Sequence, residues 1–201
     1  MKLKQMVVAT VMLVGSLVAP NARAEKGLYL GTGLGLGMPN QDGDVLDEVD
    51  PEPGFAWELI HLGYNFNDNF GVGFQWGAAV GSTDFDNELT WGQDYFTISG
   101  RYTFAGRDFE PYVELGAGPY VYTLIHDEYD AVSDPELGAR IALGGNFNLG
   151  RVYLAPEFSY HMVNYDEADV DDDWYGDYDI DFEERGDMFL FLLKIGYNFG
   201  G

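Results

Sequence analysis

The sequence predicts an all-β fold: an eight-stranded antiparallel up-and-down transmembrane β-barrel, preceded by a cleaved signal peptide. Three observations lead to this prediction. Eight segments alternate large apolar residues with small or polar ones, and the connections between them alternate between short and long. Beyond the N-terminus, no segment stays apolar for the ~20 residues that a membrane-spanning helix needs. A tilted strand crosses a bilayer in ~9–11 residues, about the length of these segments.

The N-terminal 24 residues predict a secretory signal peptide. Lys2 and Lys4 precede an apolar stretch, and Ala22-Arg23-Ala24 has the A-x-A form of a cleavage site. Residues 25–201 are then one barrel domain. The signal peptide holds three of the ten basic residues and none of the 34 acidic ones, so the net charge of −24 becomes −27 in the mature chain. Such an acidic chain is not expected to bind nucleic acid, because phosphates repel it.

The alternation is clearest in two segments. In the third, Phe70, Val72, Phe74 and Trp76 share one face while glycines and Gln75 share the other. The last ends on the apolar series Phe189, Phe191, Leu193, Ile195, Tyr197 and Phe199. A period of two predicts strands with one face toward lipid and one toward the lumen. In chain order, the eight predicted strands are 27–37, 54–66, 70–81, 93–104, 110–123, 137–147, 151–163 and 188–199.

The connections between the predicted strands fall into two classes. Three are tight, near residues 67–69, 105–109 and 148–150, and four are long, at 38–53, 82–92, 124–136 and 164–187. The long ones contain six, three, five and twelve acids, which is 26 of the 34 in the chain. In bacterial outer-membrane barrels the short turns are periplasmic and the long loops extracellular. One rim should therefore carry nearly all of the net charge.

The acidic rim leaves two interpretations open. In the last long loop, Asp171, Asp173, Asp177 and Asp179 flank Gly176 and could form a weak Ca²⁺ or Mg²⁺ site. The segment is no EF-hand loop, because Tyr175 and Phe182 occupy ligand positions. The alternative is a solvated acidic fringe that binds no specific cation. Otherwise no cofactor is expected.

Four phrases carry a resemblance to a known family. They are Gly-Leu-Tyr-Leu-Gly-Thr-Gly-Leu-Gly at 27–35, Leu-Gly-Tyr-Asn-Phe-Asn-Asp-Asn-Phe-Gly-Val at 62–72, Glu-Pro-Tyr-Val-Glu-Leu-Gly-Ala-Gly at 110–118 and Lys-Ile-Gly-Tyr-Asn-Phe at 194–199. With them, the whole mature chain resembles the small outer-membrane β-barrels of the OmpA membrane domain, OmpX and OmpW type. The resemblance implies a bacterial outer-membrane location, contact with outer-membrane lipid and lipopolysaccharide, and insertion by the barrel-assembly machinery.

Five charged residues fall on predicted lumenal positions of strands four to eight, one per strand and with alternating sign. They are Arg101, Glu114, Arg140, Glu157 and Lys194. Opposite charges on adjacent strands can pair across the ladder. An eight-stranded barrel has a lumen that side chains can fill, so we expect a plug. A gate for ions or solutes, opened by exchange of partners, is the alternative.

Glu157, Ser159 and His161 contain the residue types of a catalytic triad. They alternate along one strand, with successive members ~6.6 Å apart along the backbone. Because a triad needs direct hydrogen bonds, this spacing argues against one and favours three lumenal polar residues. His61 and His126 have no partner at a spacing typical of a zinc site.

Three functional classes follow from these patterns. The sequence favours a structural or surface-interaction protein with a filled lumen and acidic extracellular loops, and no enzymatic activity. The resemblance to OmpW implies the first alternative, a conduit or binding protein for a small hydrophobic molecule. The second alternative is a lipid-modifying enzyme.

Overall fold

The computed structural model describes residues 26–42, 50–84, 89–104, 106, 109–126, 129–172 and 178–200, and the predicted signal peptide lies outside them. Ten antiparallel strands form a single sheet. They are β1 (Gly27–Asp42), β2 (Gly54–Asn65), β3 (Phe70–Ser82), β4 (Thr90–Thr103), β5 (Phe109–Ile125), β6 (Tyr129–Ser133), β7 (Glu136–Leu149), β8 (Val152–Met162), β9 (Asn164–Asp172) and β10 (Tyr178–Asn198). No helix long and apolar enough to cross a membrane occurs in the described part of the chain.

The sheet closes on itself through its first and last strands. The β1–β10 ladder runs from Tyr29 opposite Asn198 to Asp42 opposite Arg185. β6 and β7 follow one path down the wall, and β8 and β9 follow one path up it. The pairs Ala131–Val170 and Ala139–Met162 keep the same offset, so the two paths form one interrupted hairpin. The ten strands therefore make the eight-stranded barrel that the sequence predicts. Two of its eight strand positions are each occupied by two shorter strands, β6 with β7 and β8 with β9.

The short connections have local causes in the sequence. Between β2 and β3, the side-chain oxygen Oδ1 of Asn67 accepts hydrogen bonds from the backbone N–H groups of Asn69 and Phe70, both at 2.9 Å. Between β7 and β8, Gly150 has a φ of 77°, a left-handed conformation that favours glycine. These turns lie at the end of the barrel where β1 begins and β10 ends, which is the periplasmic end.

The two faces of the wall differ as the alternation predicts. Outward residues such as Leu34, Ile98, Leu115 and Leu193 are exposed, whereas their inward neighbours are buried. Aromatic side chains of Tyr64, Phe66, Phe70, Tyr102 and Phe104 gather in edge-to-face pairs near the periplasmic end. Stacked pairs at Trp76–Phe96 and Tyr160–Phe189 lie toward the other end. These are the two aromatic girdles of a membrane barrel.

The wall extends beyond the membrane on the extracellular side. β10 has 21 residues, and at ~3.3 Å per residue and a tilt of ~40° it rises roughly 50 Å, about twice the ~25 Å apolar band. The prediction that 124–136 and 164–187 are loops is therefore wrong in part. The first segment contains β6, and the second contains β9 and the N-terminal part of β10. Buried Tyr122, Leu124, Tyr165 and Ala168 pack inside this extension in one cluster with Trp91.

A β-bulge interrupts the alternation in β2. On β3, Gly77 lies opposite Glu58 while its neighbour Trp76 lies opposite Ile60, so Leu59 is the extra residue. The hydroxyl of Thr32 on β1 donates a 2.7 Å hydrogen bond to the carbonyl oxygen of Glu58 and satisfies the bulged backbone. From the bulge to the extracellular end of β2, even-numbered residues face the lumen instead of lipid. Glu58 is therefore buried in the lumen.

Candidate functional site

The middle of the lumen contains six charged side chains, three cations and three anions. All are at most 4% exposed, and they belong to six different strands. Five are the residues that the alternation places in the lumen, Arg101, Glu114, Arg140, Glu157 and Lys194, and the sixth is Glu58. We call these six residues the lumenal charge network.

Glu114 on β5 is the centre of one half of the network. Its Oε2 accepts a 2.7 Å hydrogen bond from Nε of Arg101 on β4. Its Oε1 contacts Nη1 of Arg140 on β7 and accepts a 2.6 Å hydrogen bond from Nε2 of Gln75 on β3. The carboxylate thus meets two guanidinium groups and an amide. This contact set compensates for its removal from water.

Glu157 on β8 links the two halves. Its Oε1 lies 2.5 Å from Nη2 of Arg140 and 2.9 Å from Nζ of Lys194 on β10. Its Oε2 accepts a 2.8 Å hydrogen bond from the hydroxyl of Tyr112. Lys194 also contacts both carboxylate oxygens of Glu58, at 2.8 and 2.9 Å. The ion pairs therefore run as a continuous chain within the lumen, from Arg101 on β4 through β5, β7, β8 and β10 to Glu58 on β2.

Glu58 is the network residue that strict alternation misses. Counted from Ile60, Leu62 and Tyr64, position 58 faces lipid, and only the bulge at Leu59 turns it inward. A signal was present in the sequence: a lone carboxylate among the apolar residues of a membrane strand is expensive on the lipid face. A Glu on the lipid-facing count of such a strand therefore indicates a bulge.

Neutral polar and aromatic groups surround the charges. The guanidinium of Arg101 lies 4.0 Å from the ring centroid of Tyr112, in cation–π geometry. Its Nη2 lies 3.0 Å from Nε2 of His61. Because a guanidinium can only donate, this nitrogen of His61 accepts, and the ring is neutral with its proton on Nδ1. Formal charges in the network then sum to zero.

Ser159 and His161 lie in a layer above the network. Ser159 Oγ is 3.0 Å from Nε2 of His161, so the expectation that their spacing prevents a direct hydrogen bond was wrong: side chains two apart on one strand face lean together. A triad is nevertheless not assembled. Nδ1 of His161 contacts the hydroxyl of Tyr120 at 3.0 Å, while Glu157 contacts Arg140, Lys194 and Tyr112.

The lumen is closed at both ends of the network. Toward the extracellular side, Tyr95, Tyr120, Leu190 and Leu192 continue into the apolar cluster around Trp91, where Trp91, Tyr95, Tyr120 and Leu190 are each 0% exposed. Toward the periplasm, Tyr29, Tyr112 and Tyr153 form a second cluster. The polar cavity beside them has a volume of about 10 Å³, room for about one water molecule.

Two of the four candidate cation ligands lie on strands at the extracellular rim. Asp171 belongs to β9 and Asp179 to β10, and the backbone of Asp179 pairs with Asp169. Asp173 and Asp177 lie outside the described residues. Within the described ranges, no three His, Asp or Glu side chains are grouped as metal ligands.

Solved structures with this architecture are small outer-membrane barrels. Neisserial surface protein A is similar with a TM-score of 0.64 at 12% identity, over 88% of this chain and 99% of that one. OprG from Pseudomonas aeruginosa is similar with a TM-score of 0.62 at 14% identity, over 90% and 100%. The attachment invasion locus protein Ail of Yersinia pestis gives 0.52 at 15% identity, over 88% and 100%. At such identities the likeness establishes the fold alone.

No sequence among curated proteins matches this chain. The family model described as "Outer membrane protein beta-barrel domain" matches residues 7–199, almost the whole chain. The closed barrel, its two aromatic girdles and its inward charges agree with this match, and the location is the bacterial outer membrane. The chain belongs to the outer membrane protein β-barrel domain family.

Proposed function

We propose that this chain is a non-conducting surface protein, with a structural or surface-interaction role at the outer membrane. The observation that supports this most directly is the filled lumen. The lumenal charge network joins side chains from six strands inside the barrel, and a packed apolar cluster covers it on the extracellular side. A solute would have to displace both layers to pass.

The extracellular extension supports the interaction part of the proposal. Its apolar cluster of Trp91, Tyr122, Leu124 and Tyr165 gives the projecting wall a core of its own. Asp166, Glu167 and Asp169 are exposed on its outer surface. A rigid acidic wall raised above the membrane suits a cationic partner, and electrostatic attraction would speed the encounter.

The two alternatives have weaker support. A conduit for small hydrophobic molecules needs an apolar lumenal cavity, but the apolar part of the described lumen is filled by its own side chains. A lipid-modifying enzyme needs an accessible nucleophile. Ser159 is 1% exposed and His161 is 0% exposed, and both face the lumen rather than lipid. We therefore propose that the barrel catalyses no reaction.

Single-channel recording of the refolded mature protein in a planar bilayer tests the closed lumen. We expect no conductance steps, and no change when small hydrophobic solutes are added. Steady conductance of the wild-type protein, or its appearance with a solute, would favour the conduit.

Binding of a lysine-rich polypeptide to proteoliposomes tests the interaction surface. We expect binding that weakens from low salt to 0.15 M NaCl, since the Debye length falls to ~8 Å there. The double variant Asp166→Asn, Glu167→Gln should bind more weakly, whereas Asp68→Asn at the periplasmic turn should not. Equal binding by both variants would exclude this wall as the interaction surface.

A further inference from the structure

A groove is present on the outer face of the barrel, at the interruptions between β6 and β7 and between β8 and β9. It has a volume of about 510 Å³ and is lined by parts of β5, β7, β8, β9 and β10. Its apolar lining includes Ala117, Leu137, Ala139 and Met162, and Arg185 and Asp187 lie at its polar end. A second outer cavity of about 510 Å³ is lined mainly by apolar residues such as Leu34, Phe158 and Phe191, and no cation lines it.

The chain itself creates this recess. The ladder between β7 and β8 ends at Ala139–Met162, and pairing resumes between β6 and β9 only at Ser133–Ala168. Pro135 lies in the gap and has no N–H group for the ladder. Gly138 keeps the inner side tight, because a Cβ there would meet the ring of Tyr120 and the carbonyl oxygen of Met162. The break therefore leaves a groove on the outer face, and the ring of Tyr120 packs behind it at Gly138.

The polar end of the groove is a fixed cluster. Arg185 Nη2 lies 2.7 Å from Oδ2 of Asp187 and 3.4 Å from the hydroxyl of Tyr160, which itself donates a hydrogen bond to Asp187. Asp187 is 1% exposed, whereas the side chain of Arg185 is 53% exposed. The carboxylate thus holds the guanidinium in place, and both contacts use Nη2. The other N–H groups of the guanidinium can meet an anion.

Arg185 has an unusual position in the charge distribution. Among the described residues, it is the one Lys or Arg on the extracellular outer surface. Arg101, Arg140 and Lys194 are in the lumen, and Lys26 and Arg151 lie at the periplasmic end. Within the described ranges, this extracellular outer cation lies at the end of the groove that the strand breaks produce.

The height of the groove matches the polar headgroups of the outer leaflet. Tyr160 and Phe189, with ring centroids 4.6 Å apart, belong to the outer aromatic girdle, and Phe158 stacks on the same Phe189 at 5.7 Å. Arg185 and Asp187 continue β10 just above that girdle. Girdle residues lie at the headgroup level of the membrane.

We propose that this groove binds one lipopolysaccharide molecule through its lipid A part. An acyl chain lies against Ala117, Leu137 and Ala139, and a lipid A phosphate meets the exposed side of the Arg185 guanidinium. The outer leaflet at this height consists of lipopolysaccharide, whose phosphates complement the cation and whose chains complement the apolar lining. Guanidinium groups suit phosphate through paired N–H contacts.

Titration of the refolded full-length mature protein with purified bisphosphorylated lipid A, in neutral detergent, tests the proposal. We expect Arg185→Gln to bind about fivefold more weakly than wild type, since one cation near an anionic headgroup contributes about that factor. Arg151→Gln is the matched control, because Arg151 also lies beside a tyrosine hydroxyl, with Nη1 3.4 Å from Tyr197, at the periplasmic end. This control should bind like wild type.

Two further comparisons separate the phosphate contact from the groove. Ala139→Trp fills the groove without touching Arg185 and should also weaken binding. With dephosphorylated lipid A, Arg185→Gln should bind like wild type, and phosphatidylglycerol should bind more weakly than lipid A to the wild type. Equal lipid A binding by Arg185→Gln and Arg151→Gln, or no effect of Ala139→Trp, would overturn the proposal. Equal binding of both anionic lipids would show non-specific lipid contact. The faster migration of unboiled protein confirms that each variant is folded, and Arg185→Met, which also removes the cation, replaces Arg185→Gln if that variant is not.

Discussion

At the scale of single residues, the barrel interior depends on charges that are buried away from bulk water. Glu114 meets Arg101, Arg140 and Gln75, and it is 0% exposed. Replacing a whole buried ion network by apolar groups can leave stability unchanged or raise it, so the network is weak evidence for stability as such. Removing one partner is different, because an uncompensated buried charge remains.

We expect Glu114→Gln to lower the free energy of unfolding by about 3–5 kcal/mol. The substitution keeps the shape of the side chain but leaves Arg101 and Arg140 short of a counter-charge. Glu167→Gln, at an exposed position of the extracellular wall, should change stability by less than about 0.5 kcal/mol. Equilibrium unfolding in urea, followed by the loss of heat-modifiable migration, measures both. Equal midpoints for the two variants would mean that Glu114 is not part of a buried network.

The pair Glu58–Lys194 allows a test of coupling. Lys194 Nζ lies within 2.9 Å of both oxygens of Glu58. We expect Glu58→Gln and Lys194→Met each to destabilise the barrel. The double variant should lose less stability than the two singles together, by about 0.5–3 kcal/mol, as residues in contact do. A double-mutant cycle in urea measures this difference, and strict additivity would place the two side chains apart.

At the scale of secondary-structure elements, the sequence predicts the membrane part well and the extracellular part less well. Inside the bilayer, large apolar residues such as Phe74 and Leu193 face out. This alternation predicts all eight membrane-spanning strands of the barrel. Above the bilayer the outer face meets water, so the apolar residues face in. On β9, Ala168 and Val170 are buried while Asp169 is exposed. In the sequence, a strand with small inward apolar residues and outward acids therefore resembles an acidic loop.

The alternation predicts five of the six residues of the lumenal charge network. Alternation places Arg101, Glu114, Arg140, Glu157 and Lys194 in the lumen, where the structure has them. It misplaces Glu58, because one extra residue in a strand exchanges its two faces. The distances within the network were also beyond the sequence, since they depend on the register of six strands at once.

We expect the cost of an outward charge to depend on its depth. Phe74→Arg places a cation on the lipid face of β3 in the apolar band and should cost about 2–4 kcal/mol. Phe66→Arg, at the periplasmic girdle, should cost only about 0–1 kcal/mol. Reversible unfolding from lipid vesicles measures both values. Similar costs at the two positions would mean that Phe74 does not lie deeper in the membrane than Phe66.

At the scale of the whole molecule, charge is divided between a neutral lumenal charge network and a strongly acidic remainder. After the predicted signal peptide the sequence has seven basic and 34 acidic residues, and the network pairs three of each. The remaining four basic and 31 acidic residues give the entire net charge of −27 to the rest of the chain. Of those acids, 26 lie in the sequence segments 38–53, 82–92, 124–136 and 164–187, which are predicted at the extracellular rim, so we expect repulsion among them to oppose the folded extension.

We expect salt to stabilise the barrel by screening this rim, with little preference between cations. Raising NaCl from 0.01 M to about 0.15 M shortens the Debye length from ~30 to ~8 Å, so the unfolding temperature should rise. Under the solvated-fringe interpretation, Ca²⁺ at matched ionic strength should act nearly as Na⁺ does. A weak site that includes Asp171, Asp173, Asp177 and Asp179 would instead bind Ca²⁺ at ~10⁻⁴–10⁻³ M. An increase in unfolding temperature at micromolar Ca²⁺, lost in Asp171→Asn and Asp179→Asn, would contradict the fringe and establish a specific metal site, because screening at that concentration is negligible.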